Sequence, residues 1–255
     1  MHRVLPFSDV LRLIDDRSAA FRSAVAAAPD LDAQVPSCPE WTLRDLAQHI
    51  GEGRRAWAAT VAARPSATRR ADPEEPAVAP RERGDLVDWL GESTRQLVEA
   101  LQAAGPDRRC WTWWGDSQSP ETSGAVARHQ LQQMAVHTYD AQLTVGAPEP
   151  LPDEVALDGV DEFLSTCCAT TSPWPHEPAV VDYHATEGRS WRMWLSAEGA
   201  RVAADPTPSE GAPDFSARAT AHGLVMALYG RNGLESLEIQ GDARVFDQLA
   251  AWEPE

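Results

Sequence analysis

Four long segments with helical periodicity occupy most of the first 145 residues, and they constrain the fold more than any other feature of the sequence. In each segment, apolar residues recur at the intervals that place side chains on one face of a helix. Four helices joined by short or moderate connections are typical of an up-and-down bundle. The longest connection, residues 65–83, is rich in Pro, Arg and Glu and is expected to be a surface loop. The helical segments are 6–28, 42–63, 85–104 and 123–145.

Capping residues and prolines predict how the first two helices begin. Ser8 is expected to be the N-cap of the first helix, because a serine oxygen accepts a hydrogen bond from the first turn. Thr42 and Asp45 have the spacing of a capping box at the start of the second helix. Pro36 and Pro39 come before that helix and predict a stiff loop.

A different pattern begins after residues 147–152 and predicts a mixed α+β domain. Three short segments rich in β-forming residues are separated by turn signals, which favours an antiparallel meander. The expected strands are 179–186, 190–197, 200–205 and 234–242, and the expected helices are 154–170, 213–231 and 243–252. The prediction is therefore a bundle over residues 1–149 followed by a small α+β domain over residues 150–255.

Composition narrows the possible partners. The formal net charge of −17 repels phosphate backbones, so we expect no nucleic-acid partner. Every basic residue is Arg, which excludes mechanisms that need a Lys nucleophile or Schiff base. The sequence has no apolar run long enough to span a membrane and no recognisable signal peptide, and its four cysteines show no disulfide framework. We therefore expect a cytoplasmic protein without a membrane partner.

A narrow polar stripe runs along the fourth predicted helix. Its members, three or four positions apart, are Gln130, Gln133, His137, Asp140 and Thr144. Such a stripe either faces water, with its histidine a satisfied polar group, or builds a site. His49 lies at the rim of the apolar stripe of the second helix. Two imidazoles and one oxygen ligand from facing helices would form a three-ligand metal site with open positions.

Two motifs resemble those of a known family. "VPSCPEWTLRDLAQHIGE", followed by "RHQLQQMAVHTYDAQLTVGAP", closely resembles the paired motifs of the mycothiol-dependent maleylpyruvate isomerase family. The tail "GLVMALYGRNGLESLEIQGDARVFDQLAAW" is similar to the C-terminal domain of that family. The resemblance implies a DinB-like four-helix bundle that binds a divalent metal, most often Zn²⁺, and a smaller α+β domain similar to sterol carrier proteins.

The resemblance also implies roles for individual residues. His49 and His137 match the two ligand histidines of the family, and Gln133 stands where the family has a ligand Glu. This replacement removes one negative charge from the ligand set. Asp140 matches the Asp of the second motif and is expected either to orient a ligand histidine or to accept from a neighbouring donor, the alternative being a charge on the helix surface. Arg231, in "YGRNG", matches the family's Arg turn and is the preferred partner for a substrate carboxylate. Two other arginines are weaker candidates for that role, namely Arg54 and Arg128.

The function implied by the resemblance is a metal-dependent isomerase or thiol transferase that uses mycothiol. A metal-bound thiolate would add to the double bond of a small unsaturated organic acid, and rotation followed by elimination would give the isomer. Two alternatives stay open: a divergent natural-product enzyme that does not use mycothiol, and a non-catalytic binding protein that lost activity with Gln at position 133. A small molecule is the expected partner of a monomer or homodimer.

Overall fold

The four long helices of the N-terminal half begin and end within two residues of the predicted positions. They are α1 (Phe7–Ala27), α2 (Leu43–Ala62), α3 (Arg83–Ala104) and α4 (Ser123–Thr144). The computed structural model of the chain describes residues 5–63, 67–71, 78–207 and 211–253. Residues 65–66 and 72–77 of the predicted surface loop lie outside the described residues.

The chain divides into two compact units. The bundle unit comprises Leu5–Trp113 and Glu121–Leu151. The C-terminal unit comprises Trp114–Pro120 and residues 152–253. Each unit has its own buried apolar residues, as expected for parts of a chain that each form a core.

The start of α1 differs from the prediction. The helix begins at Phe7, and Pro6 occupies the N-cap position instead of Ser8. The carbonyl oxygen of Pro6 accepts hydrogen bonds from the backbone N–H groups of Asp9 and Val10, at 2.9 and 3.0 Å. Proline is well suited here because its fixed φ suits a helix start and its missing N–H would have had no partner within the helix. The assignment of Ser8 as N-cap is therefore wrong.

The residues before α2 form a β-hairpin where the sequence predicted a stiff loop. Strand β1 (Gln34–Val35) pairs antiparallel with strand β2 (Cys38–Thr42). The two residues of the turn are Pro36 and Ser37, since Val35 lies opposite Cys38. The predicted capping box is present, because Thr42 Oγ1 accepts from the Asp45 N–H and Asp45 Oδ2 accepts from the Thr42 N–H. The hairpin thus leads directly into α2.

Side chains from all four helices build the core of the bundle unit. The fully buried leucines of this core include Leu43 and Leu46 of α2 and Leu86 and Leu90 of α3. Burying one Leu side chain contributes about 1.5–3 kcal/mol, so the core is the main source of stability for the unit. Helix α4 is buried on almost all sides, and members of both its apolar and its polar stripe are inaccessible to water. Within the polar stripe, Gln130, His137 and Asp140 are buried, whereas Gln133 and Thr144 are partly exposed.

A glycine allows α3 to approach α2 closely. A Cβ atom added at Gly51 would lie 1.9 Å from Cζ3 of the Trp89 indole, so only a hydrogen fits between the helices at this point. The same indole lies under the Arg55 guanidinium, whose carbon is 5.3 Å from the ring centroid. This contact fixes α2 only two residues beyond His49.

The C-terminal unit contains a five-stranded mixed sheet with strand order β5-β4-β3-β6-β7. Its strands are β3 (Ala179–Ala185), β4 (Ser190–Ser196), β5 (Gly199–Ala204), β6 (Phe215–Ala219) and β7 (Glu238–Gly241). The helices are α5 (Asp153–Phe163), continued by a π-helical turn (Leu164–Cys168), then α6 (Ala221–Leu228), a 3₁₀ turn (Leu234–Ser236) and α7 (Arg244–Ala251). The predicted antiparallel meander of β3, β4 and β5 is confirmed.

The helix predicted over residues 213–231 is wrong in its first half. Phe215–Ala219 is a strand that pairs parallel with β3 and antiparallel with β7. Phe215 and Ala217 are both fully buried, the alternation of a strand with one face toward a core. The Thr220 hydroxyl then caps α6 by accepting from the Gly223 N–H. Alanine-rich composition favoured helix in isolation, and pairing on both strand edges overrides that preference.

None of the four cysteines forms a disulfide. Burial raises the pKa of the Cys168 thiol to about 12, so this thiol is a poor nucleophile at neutral pH. Among the described residues, no helix combines the length and the apolar character needed to cross a membrane.

Candidate functional site

The two predicted ligand histidines face each other inside the bundle unit. His49 extends from α2 and His137 from α4, and their ring centroids are 5.5 Å apart with an angle of 76° between the planes. The Trp41 ring lies 4.7 Å from the His49 ring and 6.4 Å from the His137 ring. Two imidazoles are therefore brought together beside an apolar indole that keeps bulk water from one side.

Asp140 and Ser37 support His137 from behind. The Nδ1 atom of His137 is 2.9 Å from Oδ2 of Asp140, which lies one helical turn further along α4. The other carboxylate oxygen, Oδ1, accepts a hydrogen bond of 2.6 Å from the Ser37 hydroxyl. Asp140 is fully buried, so these contacts replace part of the hydration that its carboxylate has lost. With Nδ1 engaged, Nε2 is the ring nitrogen of His137 that is left for a ligand.

The environment of His49 disfavours its charged form. Partial desolvation of the ring, helped by the nearby His137 ring and the positive charge of Arg70, lowers the pKa of His49 to about 4. The residue as a whole still has a solvent-exposed portion. A neutral imidazole at physiological pH has a nitrogen lone pair available, which is the form that binds a metal ion.

The geometry of the histidine pair fits a shared divalent ion. Two imidazoles bound to one tetrahedral Zn²⁺ through nitrogen atoms about 2 Å from the ion have ring centres about 5 Å apart. The distance of 5.5 Å between the His49 and His137 centroids is close to that value. Among the described residues, no three His, Cys, Asp or Glu side chains converge to hold a metal. An ion here would therefore complete its coordination with Gln133, water or an added ligand.

The remaining predicted residues lie in different surroundings. Gln133 is partly exposed, one helical turn before His137 on α4, and its role as a ligand stays a prediction. Arg128, partly buried on α4, likewise remains a candidate. Arg231 belongs to the C-terminal unit, where its Nη1 donates to the Tyr229 carbonyl oxygen at 2.7 Å. Its role toward a substrate carboxylate also stays a prediction.

Arg54 has its guanidinium in the interior of the bundle unit. It donates to the hydroxyl oxygens of Ser18 on α1 and Thr94 on α3, and it contacts the sulfur atom of Met134 on α4. Burial lowers the pKa of Arg54 to about 9, with a smaller contribution from Arg22. These contacts tie the helices of the bundle together.

Three residues beside the histidines were not identified from the sequence as parts of the site. Ser37 and Trp41 belong to the same motif as His49, but the spacing of that motif gives no sign that a hairpin folds them toward α4. Arg70 lies in the α2–α3 connection, whose composition predicts a surface loop. Their proximity to the site depends on tertiary folding, which periodicity cannot reveal.

Comparison with protein-family models gives two matches that together span most of the chain. Residues 11–142 match the model described as the mycothiol maleylpyruvate isomerase N-terminal domain. The chain belongs to the mycothiol maleylpyruvate isomerase family. Residues 154–248 match the C-terminal domain of the same family. A search of curated proteins gave no significant match.

Two solved structures have the same fold as this family member. One is a crystal structure of the mycothiol-dependent maleylpyruvate isomerase, 14% identical in sequence, and the other is a histidine-to-alanine mutant of that enzyme, 13% identical. Each match covers 92% of this chain and 93% of the other chain, with a TM-score of 0.57. At this level of identity the likeness demonstrates the fold, and the chemistry must be argued from the site.

Proposed function

We propose that this protein is a metal-dependent enzyme that uses mycothiol to isomerise, or to transfer a thiol to, a small unsaturated organic acid. The observation that carries the proposal is the convergence of the His49 and His137 rings, with His137 oriented by a buried carboxylate. Membership in the mycothiol maleylpyruvate isomerase family supports the same reaction class. The matched solved structures add the fold, without adding evidence for the substrate.

In this proposal, His49 and His137 hold a divalent ion, for which Zn²⁺ is the first candidate. A bound Zn²⁺ would supply a Lewis acid that keeps a thiol deprotonated at neutral pH. His49 contributes a neutral imidazole, and Asp140 holds His137 in one orientation. Trp41 excludes water from one side of the pair, which strengthens electrostatic interactions there. The exposed Arg70 supplies positive charge near His49 and is a suitable partner for a carboxylate of the substrate.

Gln133 gives this site a distinctive charge. Two imidazoles and an amide oxygen are all neutral donors, so a bound divalent ion keeps its full charge of two. Such an ion is held less tightly than one with a carboxylate ligand. It also attracts an anionic thiolate more strongly, because no ligand charge offsets it. The proposed enzyme therefore binds metal weakly and binds the thiolate partner tightly.

Metal titration of wild type and Gln133→Glu tests the proposal. We expect wild-type protein to bind one Zn²⁺ per chain, and the variant to bind it about tenfold more tightly because a charged oxygen replaces a neutral one. Gln102→Glu is the matched control, since it makes the same chemical change at an exposed position of α3. The Zn²⁺ affinity of Gln102→Glu should equal that of wild type. His49→Gln and His137→Gln should each abolish stoichiometric binding.

Calorimetry with mycothiol then separates the proposed function from its alternatives. Metal-loaded wild type should bind mycothiol, and metal-free protein should not. Metal binding without heat from mycothiol, and without activity with any thiol, would favour the divergent enzyme that does not use mycothiol. Wild-type protein that binds no metal, together with a Gln133→Glu variant that does, would favour a non-catalytic binding protein.

A further inference from the structure

We propose that Ser37 is a positioning residue, which fixes the tautomer and the orientation of His137 by holding Asp140. The metal-related part of this inference rests on the proposed function, whereas the part about the His137 tautomer does not. Ser37 lies at the turn of the β1–β2 hairpin, 103 residues away from Asp140 in the sequence. The hairpin therefore supplies a support for a side chain of α4 that no local spacing would indicate.

The contact geometry defines a short relay of hydrogen-bonding groups. The Ser37 hydroxyl donates to Oδ1 of Asp140 at 2.6 Å, and Oδ2 of Asp140 faces Nδ1 of His137 at 2.9 Å. A serine hydroxyl can donate to a carboxylate, and an ionised carboxylate only accepts. Both oxygens of Asp140 thus face a donor when Nδ1 of His137 carries its hydrogen. The Nε2 atom then has the free lone pair.

Burial makes the serine contact matter. Asp140 is fully buried and His137 is only 7% exposed, so water is poorly placed to replace a lost donor. Hydrogen bonds to charged groups are stronger than those between neutral groups, and leaving a buried acceptor without its partner costs more than losing an exposed one. Without the Ser37 hydroxyl, Oδ1 loses a short hydrogen bond, and the carboxylate is freer to rotate. That rotation weakens the hold of Oδ2 on His137.

The backbone of Asp140 has an anchor of its own that does not involve Ser37. The Thr144 hydroxyl donates to the backbone carbonyl oxygen of Asp140 at 2.8 Å, which stabilises the helical backbone there. That contact fixes the position of the residue but leaves the χ angles of its side chain free. The hairpin, through Ser37, supplies a restraint on the carboxylate plane. The expected effect of removing Ser37 is therefore a local change of orientation with α4 intact.

Nitrogen-15 NMR of the histidine rings in the metal-free protein at neutral pH tests the tautomer directly. The His137 signals are assigned with His137→Gln. We expect wild type to carry hydrogen on Nδ1 and none on Nε2. Ser37→Ala should give a mixture of the two tautomers, whereas Ser37→Thr, which keeps the hydroxyl, should restore the wild-type pattern. Ser37 is not in the left-handed backbone region, so a β-branched residue fits there. A wild-type ring with hydrogen on Nε2 overturns the proposal without need of any variant.

Zinc affinity provides the second measurement. Loss of a supporting partner of a ligand histidine typically weakens metal binding 10–100-fold, and Ser37→Ala should lie at the low end, about tenfold, because it acts through Asp140. The matched control is Ser23→Ala, which removes an exposed hydroxyl that bonds the Ala19 carbonyl oxygen within α1. Equal affinity and an unchanged tautomer in Ser37→Ala would refute the inference. If wild type shows the expected tautomer but binds no metal, the proposed function fails while the inference about Ser37 stands.

Discussion

At the scale of single residues, the site depends on how burial changes ordinary side chains. The spacing of Gln133, His137 and Asp140 on one helix face follows from helical geometry alone, and so does their position relative to the apolar stripe. The sequence therefore predicted the polar stripe, and the structure buries His137 and Asp140 while it leaves Gln133 partly exposed. The depressed pKa of His49 could not be anticipated, because it arises from partial loss of solvent and from a ring on another helix.

The lowered pKa of His49 predicts how stability depends on pH. In the unfolded chain the His49 pKa is near its ordinary value of 6.5, and in the folded chain it is about 4. Between these values the unfolded state binds a proton that the folded state does not. The contribution of the neutral His49 ring to the free energy of unfolding is therefore fully present above about pH 6.5, and it is lost as the pH falls toward 4. Urea denaturation at a series of pH values, with a metal chelator present, measures this dependence. As the pH falls, the free energy of unfolding should decrease less steeply for His49→Gln than for wild type.

The exposed His176 offers a control for this experiment. His176→Gln should keep the wild-type pH dependence, because it removes an imidazole from the surface of the C-terminal unit. Burial also lowers the pKa of His222, which contributes a slope of the same sign in every variant. An identical slope for wild type and His49→Gln would contradict the predicted shift.

At the scale of secondary-structure elements, periodicity identified long helices better than short strands. Helices α1 to α4 each extend over five or more turns, so their apolar stripes are repeated many times. Strand β6 has five residues and the hairpin strand β1 has two, too few to display a clear alternation. Pairing with neighbours decides such segments, and the partners of β6, strands β3 and β7, are distant in the sequence.

Strand β3 offers a test of an isolated buried polar group. Tyr183 is 1% exposed, and its hydroxyl oxygen is buried without a hydrogen-bond partner in the part of the chain that the structure describes. Tyr183→Phe keeps the packed ring and removes a hydroxyl that lost its hydrogen bonds to water on folding without forming a new one to a described residue. We expect the free energy of unfolding to stay the same or to rise by up to about 1 kcal/mol.

The same denaturation experiment includes its control. Tyr183→Ala removes the packed ring as well, and it should lower the free energy of unfolding by about 3–5 kcal/mol. A loss of more than about 1 kcal/mol for Tyr183→Phe would mean that the hydroxyl is bonded through buried water, and the prediction would be wrong.

At the scale of the whole molecule, the two units do not follow the order of the chain. Residues 114–120 connect α3 to α4 of the bundle unit, yet they belong to the C-terminal unit. Hydrogen bonds of Gln118 help to hold this segment in the C-terminal unit. Its side-chain amide donates to the Val202 carbonyl oxygen at 3.0 Å and accepts from the Val202 N–H, so it imitates a neighbouring strand along β5. The backbone N–H of Gln118 also donates to the Ser165 carbonyl oxygen at 3.1 Å.

Gln118→Ala should therefore loosen one strand edge without altering the bundle unit. The variant loses two exposed hydrogen bonds, which lowers the free energy of unfolding by about 1 kcal/mol or less. Hydrogen exchange should show faster exchange of the Val202 amide and unchanged exchange in α1 to α4. The matched control is Gln240→Ala, an exposed glutamine on β7. Wild-type protection of Val202 in Gln118→Ala would disprove this role.

The helices of the bundle, the antiparallel meander, the family and the residues of the polar stripe could all be predicted from the chain, because periodicity and motif spacing are local properties. Which of these residues meet depends on tertiary folding. His49, His137, Trp41 and Ser37 come from three separate segments, and only packing around a shared core brings them together. Contacts between distant segments depend on that packing, which the spacing within each segment does not encode.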